Sequence, residues 1–66
     1  MNKPQVSTRQ SGRTLAGSEC WYLDAVNEMQ NKYGIWIDAG DQVAGFFPSE
    51  AEAKEFAAKN GWEVVE

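Results

Sequence analysis

A chain of 66 residues is one small domain at most, and a single core of that size rarely supplies more than ~3–5 kcal/mol without a disulfide, a metal or a partner. One cysteine, Cys20, excludes an intrachain disulfide and Cys-rich zinc sites, and the absence of histidine excludes His-based metal sites and His general bases. A net charge of −4 and a pI near 4.6 argue against nucleic acid, whose binders carry basic surfaces; together these counts point away from a self-contained enzyme and toward a small module that binds something.

The charge is uneven along the chain. Residues 1–18 carry +3 from Lys3, Arg9 and Arg13, residues 19–48 carry −4, and residues 49–66 carry −3. A basic polar arm therefore precedes an acidic body. Apart from Met1, the arm holds only Val6, Leu15 and Ala16 as apolar residues, with Pro4, Gly12 and Gly17 as breakers. Alone it buries too little apolar area to offset its ordering entropy, so it is expected to be disordered or laid in extended form along another surface. No run approaches the ~20 apolar residues of a membrane span, and Met1–Gly12 lacks the apolar core of a secretory signal. The expected setting is cytoplasmic, with a free thiol and no membrane insertion.

The body begins with Cys20-Trp-Tyr-Leu-Asp-Ala-Val26, a short aromatic and aliphatic run that favours a strand. Alternation places Trp21, Leu23 and Ala25 on one face, which is the expected core face. Asn27–Tyr33 is polar and turn-like. Gly34–Ile37 and Val43–Phe47 read as two further strands joined by an Asp38–Asp41 turn, a hairpin spanning Trp36 to Val43. Pro48 ends the last of these.

Residues 49–61 carry the strongest local signals. Ser49 with Glu52 three positions on forms a capping box. Ala51–Lys59 are mostly strong helix formers, and Ala53, Phe56 and Ala57 share one face. Gly61 follows Asn60 as a left-handed stop, which puts Trp62 where it packs back on Phe56 or Ala57. Trp62–Val65 reads as a closing strand. The predicted fold class is α+β: a small antiparallel sheet of three to four strands, in the order β-β-β-α-β, with one helix on one face. It comprises an extended or disordered arm over 1–18 and a domain over 19–66. The expected core is Trp21, Leu23, Trp36, one of Phe46 and Phe47, Phe56, Trp62 and Val64.

No arrangement of residues announces catalysis. Nothing in the sequence activates the Cys20 thiol. An EF-hand loop counted from Asp38 fails, because Gly40 occupies position 3, Val43 position 6 and Glu50 position 13. No phosphate-binding glycine motif is present. No catalytic, cofactor-binding or metal-binding residue is assigned, and no cofactor is expected. The segment Arg9-Gln-Ser-Gly-Arg13 is the candidate partner contact, an acid-free stretch whose extended backbone and two arginines suit an acidic protein surface.

The run Phe47-Pro-Ser-Glu-Ala-Glu-Ala-Lys-Glu-Phe-Ala-Ala-Lys-Asn-Gly-Trp62, together with Gln10-Ser-Gly-Arg13, Trp21, Leu23, Gly34 and Trp36, resembles the iron–sulfur protein 4 (AQDQ) accessory-subunit family of respiratory complex I. The resemblance covers about residues 8–66. It implies a small sheet with a helix, no iron–sulfur cluster, and an N-terminal segment that threads between subunits. The implied role is non-catalytic: stabilising an NADH-dehydrogenase-like electron-transfer assembly, at the cytoplasmic face of a membrane-bound complex. Gln10, Ser11, Gly12 and Arg13 would then be partner contacts, with Arg9 beside them and Trp21 and Trp36 supporting the sheet or the interface. The alternative is a small regulatory or inhibitory module, bacterial or phage, that docks its acidic body on a partner enzyme.

Overall fold

The computed structural model describes residues 3–65. Six strands and one helix follow in the order β1 (Gln5–Arg13), β2 (Glu19–Ala25), β3 (Met29–Gln30), β4 (Trp36–Ile37), β5 (Gln42–Phe47), α1 (Glu50–Lys59) and β6 (Glu63–Val64). Four strands form one sheet in the order β5-β2-β1-β6, and β3 pairs with β4 in a separate two-stranded sheet. The fold is α+β with the helix against the sheet, as expected. The sheet is mixed, because β1 pairs antiparallel with β2 but parallel with β6.

The segment expected as a separate arm is largely an inner strand of the sheet. Gln5–Arg13 is extended, one of the two conformations anticipated, but the surface it lies along is the chain's own. Its register sets Val6 opposite Ala25, Thr8 opposite Leu23 and Gln10 opposite Trp21. Val6 is completely buried, and Thr8 Oγ1 donates to Glu50 Oε2 at 3.1 Å at the start of the helix. Pairing with β2 along most of its length, and with β6 at Gln5 and Val6, holds this polar strand in place around one buried apolar side chain. The sheet therefore has no boundary between 18 and 19. A turn over Thr14–Ser18 joins β1 to β2, closed by Gly17 N–H donating to Thr14 O at 2.9 Å and Ser18 N–H to Thr14 Oγ1 at 3.1 Å.

The expected Trp36–Val43 hairpin does not form. Trp36 pairs with Gln30 and Ile37 with Met29, while β5 pairs with β2. The polar run 27–33 thus contains a strand, anchored by Met29, which is 3% exposed. Asn31 organises the loop between β3 and β4: its Oδ1 accepts from the N–H groups of Tyr33 at 2.8 Å and Ile35 at 3.1 Å. Asp38–Asp41 does turn, with Asp41 N–H donating to Asp38 O at 3.1 Å. Two bonds to Ala25, from Gly40 N–H to its carbonyl at 2.7 Å and from its N–H to Asp41 O at 2.9 Å, tie that turn to the end of β2. They deliver β5 to β2 and not back onto Trp36.

The helix stop is built as the sequence predicts, while of the predicted capping box only the Ser49 half forms, with no bond from Ser49 N–H to the Glu52 carboxylate among the described residues. Ser49 Oγ accepts from Glu52 N–H at 3.3 Å. At the far end Gly61, with φ +74°, donates to Ala58 O at 3.1 Å and Trp62 N–H donates to Ala57 O at 2.9 Å, a Schellman closure. Trp62 packs edge-on against Phe56 with ring centres 5.8 Å apart, and Phe56 meets Phe47 at 5.2 Å.

The core is made of modest side chains. Val6, Leu23, Ala25, Met29, Ala53 and Ala57 are buried together, ringed by half-buried Trp21, Ile37, Val43, Ala44, Phe47, Trp62 and Val64. Ala53 and Ala57 are the helix residues buried in this core. Two expected core residues stand outside it: Trp36 is 61% exposed and Phe56 38%. Of the pair Phe46 and Phe47, Phe47 packs inward.

Candidate interaction surfaces

Among the described residues, no three side chains of the His, Cys, Asp and Glu types converge as a metal site would require. Cys20 is buried as a free thiol. Glu50 is occupied by Thr8 and by Lys54, whose Nζ lies 3.8 Å from it.

The residues singled out from the sequence fall into two places. Arg9–Arg13 lie on the outer half of β1, all exposed. Arg9 makes a two-toothed contact with Asp24, Nε to Oδ2 at 2.7 Å and Nη2 to Oδ1 at 3.3 Å. Its guanidinium stands 4.7 Å from the centre of the Tyr22 ring. The hydrogen bond to Asp24 raises the Arg9 pKa above its ordinary value, against a smaller opposing effect of desolvation. Arg13 Nη1 donates to Gly17 O at 3.1 Å and its Nη2 lies 3.9 Å from Glu19. Gln10 Nε2 donates to Gly12 O at 2.9 Å, and Gly12 has φ +77°. Trp21 is half-buried, its Nε1 donating to Glu19 Oε1 at 2.9 Å. Both arginines are thus engaged within the chain, so a partner acid would have to share or displace Asp24 and Glu19.

Trp36 is elsewhere. It lines an open groove of about 690 Å³ with Pro4, Gln5, Asn27 and Met29, at the start of β1. Gln5 and Arg13 are separated by the length of the strand, roughly 26 Å at ~3.3 Å per residue. Arg13 and Trp36 therefore belong to opposite ends of a body measuring 40 × 21 × 18 Å.

The structure adds surface that sequence reasoning missed. Tyr33 is 74% exposed and Ile35 61%, on the β3–β4 loop that leads into Trp36. Tyr33 also walls a smaller groove of about 240 Å³, whose other sides are Val43 and Ala44 of β5, Phe56 of the helix, and Trp62. The polar run 27–33 gave no sign that its tyrosine faces solvent beside a helix. The pairing of β3 with β4, which depends on Met29 being buried, puts it there. No described helix is long and apolar enough to cross a membrane. Compared with protein-family models, curated proteins and solved structures, the chain matches none.

Proposed function

We propose that this chain is a non-catalytic protein-interaction module. One observation carries the proposal: several large apolar side chains stand exposed, while Trp21, Phe47 and Trp62 pack half-buried around a core of smaller ones. Leu23 and Val6 are the largest fully buried side chains, whereas Tyr33, Ile35, Trp36, Phe46 and Phe56 are all exposed. In a chain this short, burying those rings would be the simplest route to stability, and exposed apolar clusters mark surfaces that a partner covers. The finer reading is an accessory subunit of an NADH-dehydrogenase-like electron-transfer assembly. It rests on the resemblance carried by Gln10–Arg13, Trp21, Leu23, Trp36 and Phe47–Trp62.

The test is affinity purification of the tagged full chain from its own cells, with mass spectrometry of what accompanies it. The same purification is run in parallel with the triple variant Tyr33→Ser/Ile35→Ser/Trp36→Ser. Large flavin or iron–sulfur subunits retained by the parent and lost by the variant support the finer reading. A discrete complex with an unrelated enzyme keeps the module and discards the respiratory role. Absence of any companion sensitive to the variant overturns both.

A further inference from the structure

The β5 strand is an edge. Gln42–Phe47 pairs with β2 on one side, and among the described residues its other side makes no hydrogen bond. The opposite edge of the sheet, β6, is two residues long. The pairing of β5 with β2 shifts register twice, opposite Trp21/Tyr22 and opposite Leu23/Asp24, so the edge offers its unpaired N–H and C=O groups in short stretches, of which Ala44–Gly45 is in register with β2 and can be extended by another strand.

Two further features lie along this edge. The first is the 240 Å³ groove beside it, in which Val43 and Ala44 form the strand wall and Phe56, Trp62 and Tyr33 the others. Strand addition gains affinity from the main chain and selectivity from a side-chain pocket next to the edge. The second is charge. Gln42–Phe47 is uncharged, but Asp41 immediately precedes it, and Glu52 stands beside Phe47 and Phe56 at its far end. Neither carboxylate forms an ion pair among the described residues. The local cations are Lys59, paired with Glu55 at 3.1 Å, and Lys32, drawn over the Tyr33 ring at 5.2 Å. The edge therefore reads, from end to end, as acid, neutral strand, acid.

We propose that the free edge of β5 accepts an extended peptide as a fifth strand, with an apolar side chain in the Val43–Phe56–Trp62 groove and lysine or arginine at its flanks. The proposal deepens the interaction-module reading and rests on it, by naming one surface and the chemistry of the segment it takes.

The experiment is selection of a random decapeptide library, displayed on phage, against the immobilised full-length chain, followed by amide NMR shift mapping of the selected peptides. Expected are peptides with an apolar centre and basic flanks, with shifts concentrated at Gln42–Phe47 and the Trp62 indole. Phe46→Lys should weaken binding by about tenfold, because it sets a cation on the edge, a common device against strand pairing. Tyr33→Ser, which opens one wall of the groove, should weaken binding without moving the Gln42–Phe47 amide shifts of the free protein. No enrichment, acidic flanks, or shifts at the Arg9–Arg13 or Trp36 surfaces overturn the proposal. So does concentration-dependent shifting of β5 without peptide, which would assign the edge to a second copy of the chain. If the natural complex survives Phe46→Lys but not the Tyr33/Ile35/Trp36 triple variant, the module reading stands and the β5 assignment falls.

Discussion

The Tyr22 ring covers Gly45, its partner across the β2–β5 pair, so closely that a Cβ at Gly45 would overlap it. The Arg9 guanidinium stands 4.7 Å from the centre of the same ring. Arg9, Tyr22 and Gly45 form one cross-strand row on the sheet face opposite Leu23. The glycine is thus explained by a neighbour in space, since an aromatic ring over a strand glycine shields backbone that would otherwise be bare.

Gly45→Ala should destabilise the fold by about 1–3 kcal/mol, the usual cost of forcing atoms into an occupied site. Urea unfolding measures it. In the double variant with Tyr22→Ala much of that penalty should vanish, giving a coupling energy of roughly 1 kcal/mol. Additive penalties would mean that the ring is not what excludes the side chain.

Arg9→Gln should lower the thermal midpoint and reduce its dependence on salt, because the Arg9–Asp24 pair is exposed on the arginine side and therefore screened. The pH profile follows from the raised pKa of Arg9. A raised pKa stabilises fully below the group's unfolded value and is lost only as pH climbs through the folded one, which for arginine is far above neutrality. Parent and variant melting curves should therefore stay a constant distance apart between about pH 6 and pH 9.

Removing residues 1–14 should abolish folding and not merely loosen a tail, because it removes β1 and the fully buried Val6. Circular dichroism of the truncated chain tests this. Val6→Ala, which keeps the strand, should cost about 2 kcal/mol through the lost methyl groups and the cavity they leave. A truncated chain with the parent's spectrum and melting point would refute the role given to β1.

Ser49→Ala should cost about 1 kcal/mol by leaving the Glu52 N–H without its acceptor. Gly61→Ala should cost ~1–2 kcal/mol, because φ of +74° is strained for any residue with a Cβ. The two sites flank a ten-residue helix, roughly 18 Å apart along its axis, so their effects should add in the double variant. Denaturant midpoints at constant slope are the measurement.

What was legible in the sequence was local. Ser49, Glu52, Asn60 and Gly61 specify the helix through neighbours a few residues away, and those signals do not depend on the rest of the fold. Trp21, Leu23 and Ala25 declared their face through alternation. β1 was not legible as a strand of the domain, because its one core residue, Val6, looks like noise in a polar stretch until Ala25 and Val64 are known to flank it. Trp36 was misjudged for the opposite reason. A tryptophan between two isoleucines reads as core, but β4 pairs with β3 in a separate two-stranded sheet and Trp36 is left exposed there. The candidate surfaces divide in the same way. Charge alone marked Arg9 and Arg13, but Asp24 and Glu19, which engage them, lie 15 and 6 residues further on. Nothing along the chain joined Tyr33 to Trp62.

The parallel clasp between β1 and β6 governs the order in which the fold can be completed. Gln5 Nε2 donates to Glu63 Oε1 at 2.8 Å across a separation of 58 positions, with Glu63 N–H donating to Pro4 O and Val65 N–H to Val6 O beside it. Helix turns and the β1–β2 hairpin close over short loops and form quickly, whereas this clasp must wait for the two ends to meet. It is therefore expected to form late, after the rate-limiting step, which the folding and unfolding rates of Glu63→Ala would test. Weakening it through Glu63→Ala would accelerate unfolding and leave the folding rate almost unchanged.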